Sequence, residues 1–272
     1  MTTNLDNVFT ADPRFIGVIT PSGNTVVERV TMAILQTFPG VTPLFSRTPV
    51  FGNSDPFPQS YATDDMLTAA RLLAHAKPEV LLWSGSKGVK IGVQHDRDFV
   101  ARAEAETGIP TTTSILALDS LLRRRKLMRL AIVSPYDGDY QRGIIAAYRK
   151  AGFDVIAECH AQLKDNLSFA SIPAERIAAM VREAASHQPD AVLTLCTNFP
   201  AAPVIPALEA ELGIPMFDSV SVGVWHALSL MGIDYAPARA WGRLFAEVKD
   251  EHFSEFTGAG VDAQGAFPGP RR

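Results

Sequence analysis

The sequence predicts an α/β fold made of two duplicated halves, each a parallel sheet with helices packed on it. Three matched pairs of segments carry the prediction. Ile16-Gly17-Val18-Ile19-Thr20-Pro21 matches Leu130-Ala131-Ile132-Val133-Ser134-Pro135; each is an apolar strand closing on a hydroxyl residue and a proline. Val80-Leu81-Leu82-Trp83-Ser84 matches Ala191-Val192-Leu193-Thr194-Leu195, and the two runs end at Gly85 and Cys196. The turn Gly108-Ile109-Pro110 matches Gly213-Ile214-Pro215, and both lead into apolar, helix-like stretches. The offsets are 114, 111 and 105 residues. Constant order with near-constant spacing points to duplication rather than to chance alternation of strand and helix.

The elements follow in order. A polar tail precedes a strand near 15–20 and a helix near 24–38, opened by Ser22-Gly23-Asn24-Thr25. A strand near 42–47 runs into a polar loop, Gly52-Asn53-Ser54-Asp55-Pro56-Phe57-Pro58. A helix near 62–76, strand 79–84, helix 95–106, strand 110–113 and helix 114–126 complete the first unit. The second repeats the scheme: strand 129–134, helix 139–150, strand 153–158, helix 172–187, strand 190–195, helix 201–212, strand 215–218 and helix 219–231. Strands and helices alternating at these lengths build parallel, Rossmann-like αβα layers. The first half is expected over 14–125 and 229–256, the second over 126–228, with tails at 1–13 and 257–272.

Composition narrows the function classes. The 272 residues suffice for two units of ordinary size. With 47% hydrophobic and 20% charged residues the chain reads as an ordinary globular enzyme. A net charge of −4 argues against a nucleic-acid surface. The one basic run, Arg123-Arg124-Arg125-Lys126, sits at a helix C-terminus, where the helix dipole favours it. No apolar stretch reaches membrane-spanning length and no signal-peptide core is seen, so no membrane partner and a cytoplasmic location are expected. Two cysteines, Cys159 and Cys196, make neither a disulfide framework nor a metal site. Cys159 reads as an inert thiol, and His226 as a buried histidine.

Chemistry is expected at the strand ends. Cys196 ends a buried strand, and helix-start N–H groups from residues 197–201 are expected to lie near it, lowering the thiol pKa and stabilising the thiolate. The loop Pro21-Ser22-Gly23-Asn24-Thr25 offers free N–H groups to an anion, or else Ser22 or Asn24 simply caps the helix. It has neither phosphate-loop nor dinucleotide-fingerprint spacing. Gly85-Ser86-Lys87-Gly88 is a second such nest, or a plain tight turn. Tyr136 stands at the end of the second half's first strand, as a packing ring or a functional phenol. Asp165-Asn166 taken alone is a turn.

Together these segments resemble the aspartate/glutamate racemase superfamily, in its maleate isomerase and arylmalonate decarboxylase branch. The resemblance spans about residues 15–245. It rests on Pro21-Ser22-Gly23-Asn24-Thr25, Ser134-Pro135-Tyr136, Asp165-Asn166 and Cys196-Thr197-Asn198 in that order. It implies a pseudo-twofold axis between the halves, an active site in the cleft along it, and one cysteine on each side. This chain departs from that pattern, because Gly85 stands where the first cysteine is expected. Racemases and maleate isomerases of the branch need that cysteine; arylmalonate decarboxylases resemble this chain in having glycine there and one catalytic cysteine.

The resemblance therefore implies a cofactor-independent decarboxylase of a malonate-type acid, with Cys196 catalytic. Ser22, Asn24, Gly85, Ser86, Lys87, Tyr136, Asn166, Thr197 and Asn198 are expected to bind a small carboxylate substrate. No metal and no nucleic acid are expected, and a homo-oligomer is compatible with the sequence. Decarboxylation needs only one acid, because loss of CO2 makes the carbanion without a base. Lys87 departs from the decarboxylases and keeps an isomerase or racemase of a small dicarboxylate as the alternative. A hydrolytic or non-catalytic carboxylate-binding relative is the third reading.

Overall fold

Among the described residues, eight parallel strands form two four-stranded sheets of the same order, β2-β1-β3-β4 and β6-β5-β7-β8. This computed structural model describes residues 12–50 and 59–246; the loop expected at 52–58 and the tails before 12 and after 246 lie outside them. The first unit runs β1 (Arg14–Pro21), α1 (Val27–Leu35), β2 (Val41–Thr48), α2 (Thr63–Ala74), β3 (Val80–Trp83), α3 (Gly88–Ile91), α4 (Gln94–Thr107), β4 (Thr111–Thr113) and α5 (Ser114–Arg124). The second runs β5 (Arg129–Ser134), α6 (Gly138–Lys150), β6 (Asp154–His160), α7 (Asn166–Phe169), α8 (Ala174–Ala185), β7 (Ala191–Thr194), α9 (Ile205–Leu212), β8 (Met216–Asp218) and α10 (Ser219–Leu230). A 3-10 segment at Ala236–Trp241 and α11 (Arg243–Ala246) close the described chain.

The duplication holds at the level of single hydrogen bonds. Ile16 pairs with Val80 as Leu130 pairs with Ala191. Past the strand ends, Ser84 N donates to Ile19 O and Leu195 N to Val133 O, both at 2.9 Å. These registers make Gly85 and Cys196 equivalent positions. The helices before the last strands end alike, with Gly108 and Gly213 left-handed at φ 70° and 72°, a conformation a Cβ would disfavour. The helices after them start alike, capped by Thr113 and Asp218 side chains.

The central strands are apolar throughout because both faces are buried. On β1 and β3, Ile16, Val18, Val80 and Leu82 enter one core, whereas Ile19, Leu81 and Trp83 meet Met66, Leu67 and Phe99 of α2 and α4 on the other face. The first of these cores is continuous with that of the second half, through Leu130, Ile132, Val192 and Leu193. Removing one such side chain, as in Leu82→Ala, costs about 2–5 kcal/mol.

Helix α10 follows the second sheet in sequence, yet packs against α5, α1 and β3 of the first half. It can do so because Gly223 carries no Cβ: one there would lie 2.7 Å from Ser114 Oγ and 3.1 Å from Leu82. The helix expected at 201–212 is divided. Pro206 cannot donate to the preceding turn, so Ala202–Val204 is 3-10 and α9 begins at Ile205. No helix among the described residues is long and apolar enough to cross a membrane.

Candidate active site

The ends of β1, β3, β5 and β7 open onto one cavity of about 310 Å³ between the two halves. Asn24, Gly85, Ser86, Lys87, Tyr136, Asn166, Cys196, Thr197 and Asn198 all line it. Nine of the ten residues proposed from sequence thus converge. Ser22 does not: it is exposed and binds the β2 end, accepting from Val50 N at 3.1 Å. Asn24 closes the turn leading into α1, its Oδ1 accepting from Val26 N and Val27 N, both at 2.9 Å.

Three contacts stitch the halves together inside the cavity. Asn24 Nδ2 donates to Thr197 Oγ1 at 3.1 Å, Thr25 N donates to Asn198 Oδ1 at 2.9 Å, and the Ser86 and Tyr136 hydroxyls meet at 3.1 Å. Asn198 Nδ2 also donates to Asn166 O at 2.6 Å, which draws in the Asp165-Asn166 segment. That segment starts α7, with Asp165 as its cap.

Cys196 is 4% exposed and has φ 129°, a region L-residues rarely adopt. Its own N–H donates to Ser219 Oγ at 3.4 Å, and Ser219 donates in turn to Thr194 O. Asn198 N donates to the sulfur at 3.4 Å, and Phe199 N and the Tyr136 hydroxyl also point at it. The expected lowering of the thiol pKa is corrected here. Residues 197–199 form a turn rather than a helix start, and burial outweighs these donors, with Asp218 adding to the rise. The thiol is pushed up to about 11. Burial likewise drives Tyr136 well above its ordinary value. Cys196 and Tyr136 are therefore both proton carriers at neutral pH.

The equivalent position, Gly85, has ordinary backbone, and its side-chain space is taken. A Cβ there would lie 2.2 and 2.3 Å from atoms of the Trp83 indole. Trp83, with Val50, Tyr61 and Met66, lines the cavity with apolar and aromatic surface. Tyr61 sits edge-on to Trp83 at 5.9 Å between ring centres, and its hydroxyl donates to the buried Asp96 at 3.0 Å. Cys159 lies elsewhere, half-buried on β6 and 3.5 Å from Glu183, its pKa raised to about 11 by burial and then by that carboxylate. His226 is buried against Thr112 at 2.7 Å and held near 4 by burial, hence neutral.

Sequence reading missed Tyr61, Trp83, Lys90, Tyr140, Lys164 and Phe169 in the lining. Two of these carried a signal. Tyr140 follows Tyr136 by four residues, just inside α6, and Lys90 follows Lys87 by three, inside α3, so each repeats a residue type already singled out.

The family model described as arylmalonate decarboxylase, Amdase, matches residues 57–245. This chain belongs to the Amdase family. The maleate isomerase of Nocardia farcinica is 28% identical to this Amdase member over 243 residues, 86% of this chain and 96% of that protein. A structure of a cysteine-to-serine variant of that isomerase carries a covalently bound succinylcysteine intermediate; it has a TM-score of 0.74 at 24% identity, over 84% of this chain and 98% of that one. The arylmalonate decarboxylase of Bordetella bronchiseptica is 28% identical over 151 residues, 54% of this chain and 62% of that protein. The structure of a maleate isomerase from Pseudomonas putida S16 with maleate superposes with a TM-score of 0.78 at 20% identity, over 85% of this chain and 97% of that one. The Amdase fold, two similar parallel-sheet halves, is thus shared with isomerases and with a decarboxylase alike.

Proposed function

We propose that this Amdase member decarboxylates a substituted malonate using its own side chains alone, with Cys196 as the proton donor. One observation carries the reading: a single protonated thiol faces the cavity, and the place of an opposed thiol is filled by Trp83 over Gly85. In this reading one carboxylate accepts from the hydroxyls of Ser86, Tyr136 and Thr197. The other lies against Val50, Met66 and Trp83, where loss of its charge is favoured. The bond from the α-carbon to that carboxylate breaks, CO2 leaves, and the electron pair delocalises into the retained carboxylate as an enediolate. Hydroxyl donors stabilise the developing charge. The S–H bond of Cys196 then breaks, its proton goes to the α-carbon, and water reprotonates the thiolate.

The second reading, an isomerase of a small dicarboxylate, is supported by Lys87, which lines the same cavity as a cationic residue, and by the match to a maleate isomerase over 86% of this chain. The test follows 2-methyl-2-substituted malonates, maleate and amino acids by NMR in D2O. The expected result is CO2 release with one deuterium at the α-carbon in a single configuration, lost in Cys196→Ala and kept in Cys159→Ala. Conversion of maleate without CO2, or a racemic product that depends on Lys87, would install the isomerase reading instead. Thermal stabilisation by these acids without turnover would leave a binding protein.

A further inference from the structure

One end of the cavity lining is cationic. Among the described residues, Lys87, Lys90 and Lys164 line it against a single carboxylate, Asp137. A ladder of contacts orders this end relative to Cys196. The Tyr136 hydroxyl reaches the thiol; the Tyr136 ring stacks on Tyr140 at 4.3 Å between centres; Lys90 Nζ stands 4.5 Å from the centre of the Tyr140 ring. Lys90 is seated there by α3, which packs against α6, and its chain runs over Gly143, where a Cβ would lie 3.3 Å from it. Lys164, whose side chain is 69% exposed, stands 4.0 Å from Asp137, a separation too long for a hydrogen-bonded pair. Among the described residues, Lys90 beside Tyr140 and Lys164 beside Asp137 thus line the cavity with two ammonium groups against one carboxylate. Among the described residues, a substrate with a bare aryl or alkyl group would leave Asp137 as the one carboxylate facing these lysines.

We infer that the substrate carries a further carboxylate, on a chain extending from the reacting malonate centre past Tyr136 and Tyr140, and that Lys90 and Lys164 bind it. This inference rests on the malonate reading above, and it concerns recognition rather than bond breaking. Its test separates the two. Malonates bearing a terminal carboxylate on alkyl chains of increasing length, and their terminal methyl esters, are titrated calorimetrically into the Cys196→Ala protein and given to the unaltered enzyme for CO2 release. The acid should bind about tenfold tighter than the ester, a ratio that two partly screened charge pairs supply, and high salt should shrink it. Lys90→Met and Lys164→Met should each lower the acid-to-ester ratio, and the double variant should bring it to about one. An ester bound as tightly as its acid, or a preference that survives the double variant, overturns the inference. Lysine-dependent binding without CO2 release would instead remove the decarboxylase reading and leave the anionic subsite standing.

Discussion

Cys196 joins two properties that pull against each other. Its sulfur is buried and held as a thiol, as a proton donor requires, whereas a thiol at its ordinary value of about 8.5 would lose its proton in mild alkali. The donor form exists below the pKa, so kcat/KM should stay level through pH 9 and fall only as pH approaches 11, read from a pH–rate profile. A rate that climbs with pH instead would make the thiolate the reactive form. The backbone at φ 129° is the second property. Such a conformation costs about 1–3 kcal/mol for a residue with a Cβ. Cys196→Gly should therefore melt above Cys196→Ala, although both are inactive, and equal melting points would show that the surroundings relax around the strain.

The strand ends set what each half presents, and the equivalence of Gly85 with Cys196 is exact in register but not in space. Installing a thiol by Gly85→Cys alone forces the nearly fully buried Trp83 indole aside. The change should cost about 1–3 kcal/mol, seen as a melting point lower by about 3–10 °C, and should leave the product configuration intact. Pairing it with Trp83→Ala opens the space and should let product racemise; racemisation by Gly85→Cys alone would show that the indole moves freely. This obstacle was not legible in the sequence, because it depends on which way the indole of Trp83 turns. The strands themselves were legible: β1, β3, β5 and β7 are short apolar runs between turn residues, and both faces of each are buried. Four-residue α3 and α7 were not, being too short for a periodic pattern, and with α3 went Lys90. Asn24, Tyr136, Asn166 and Asn198 could be singled out because each closes or follows a strand; Tyr61 and Tyr140 reach the cavity from other elements, and Lys164, which follows the same strand as Asn166, carried no motif of its own.

At the scale of the whole molecule, burial holds two carboxyl groups away from their usual ionisation. Asp96 is pushed up to about 7 and Asp218 to about 6, in each case by burial against opposing hydrogen bonds. Both folded values lie above the ordinary carboxyl range, so the fold favours the protonated forms. The stability they contribute is complete below about pH 4 and is lost as pH rises through 6 and 7. The melting point should fall between pH 5 and pH 8, and Asp96→Asn, which keeps an acceptor for Tyr61, should flatten that fall. An unchanged slope in the variant would mean that Asp96 ionises with little penalty.

The position of α10 bears on how the chain is made. This helix, at Ser219–Leu230, covers the first sheet and packs on α5, yet it leaves the ribosome about a hundred residues after α5. At about 5–20 residues per second the first half waits roughly 5–20 s with part of its apolar surface uncovered. Nascent chains halted at residue 218 should accordingly expose the first sheet to hydrogen exchange, and chains released past residue 230 should protect it. The second half can close on its own strands as they appear, so the half synthesised first is the one completed last.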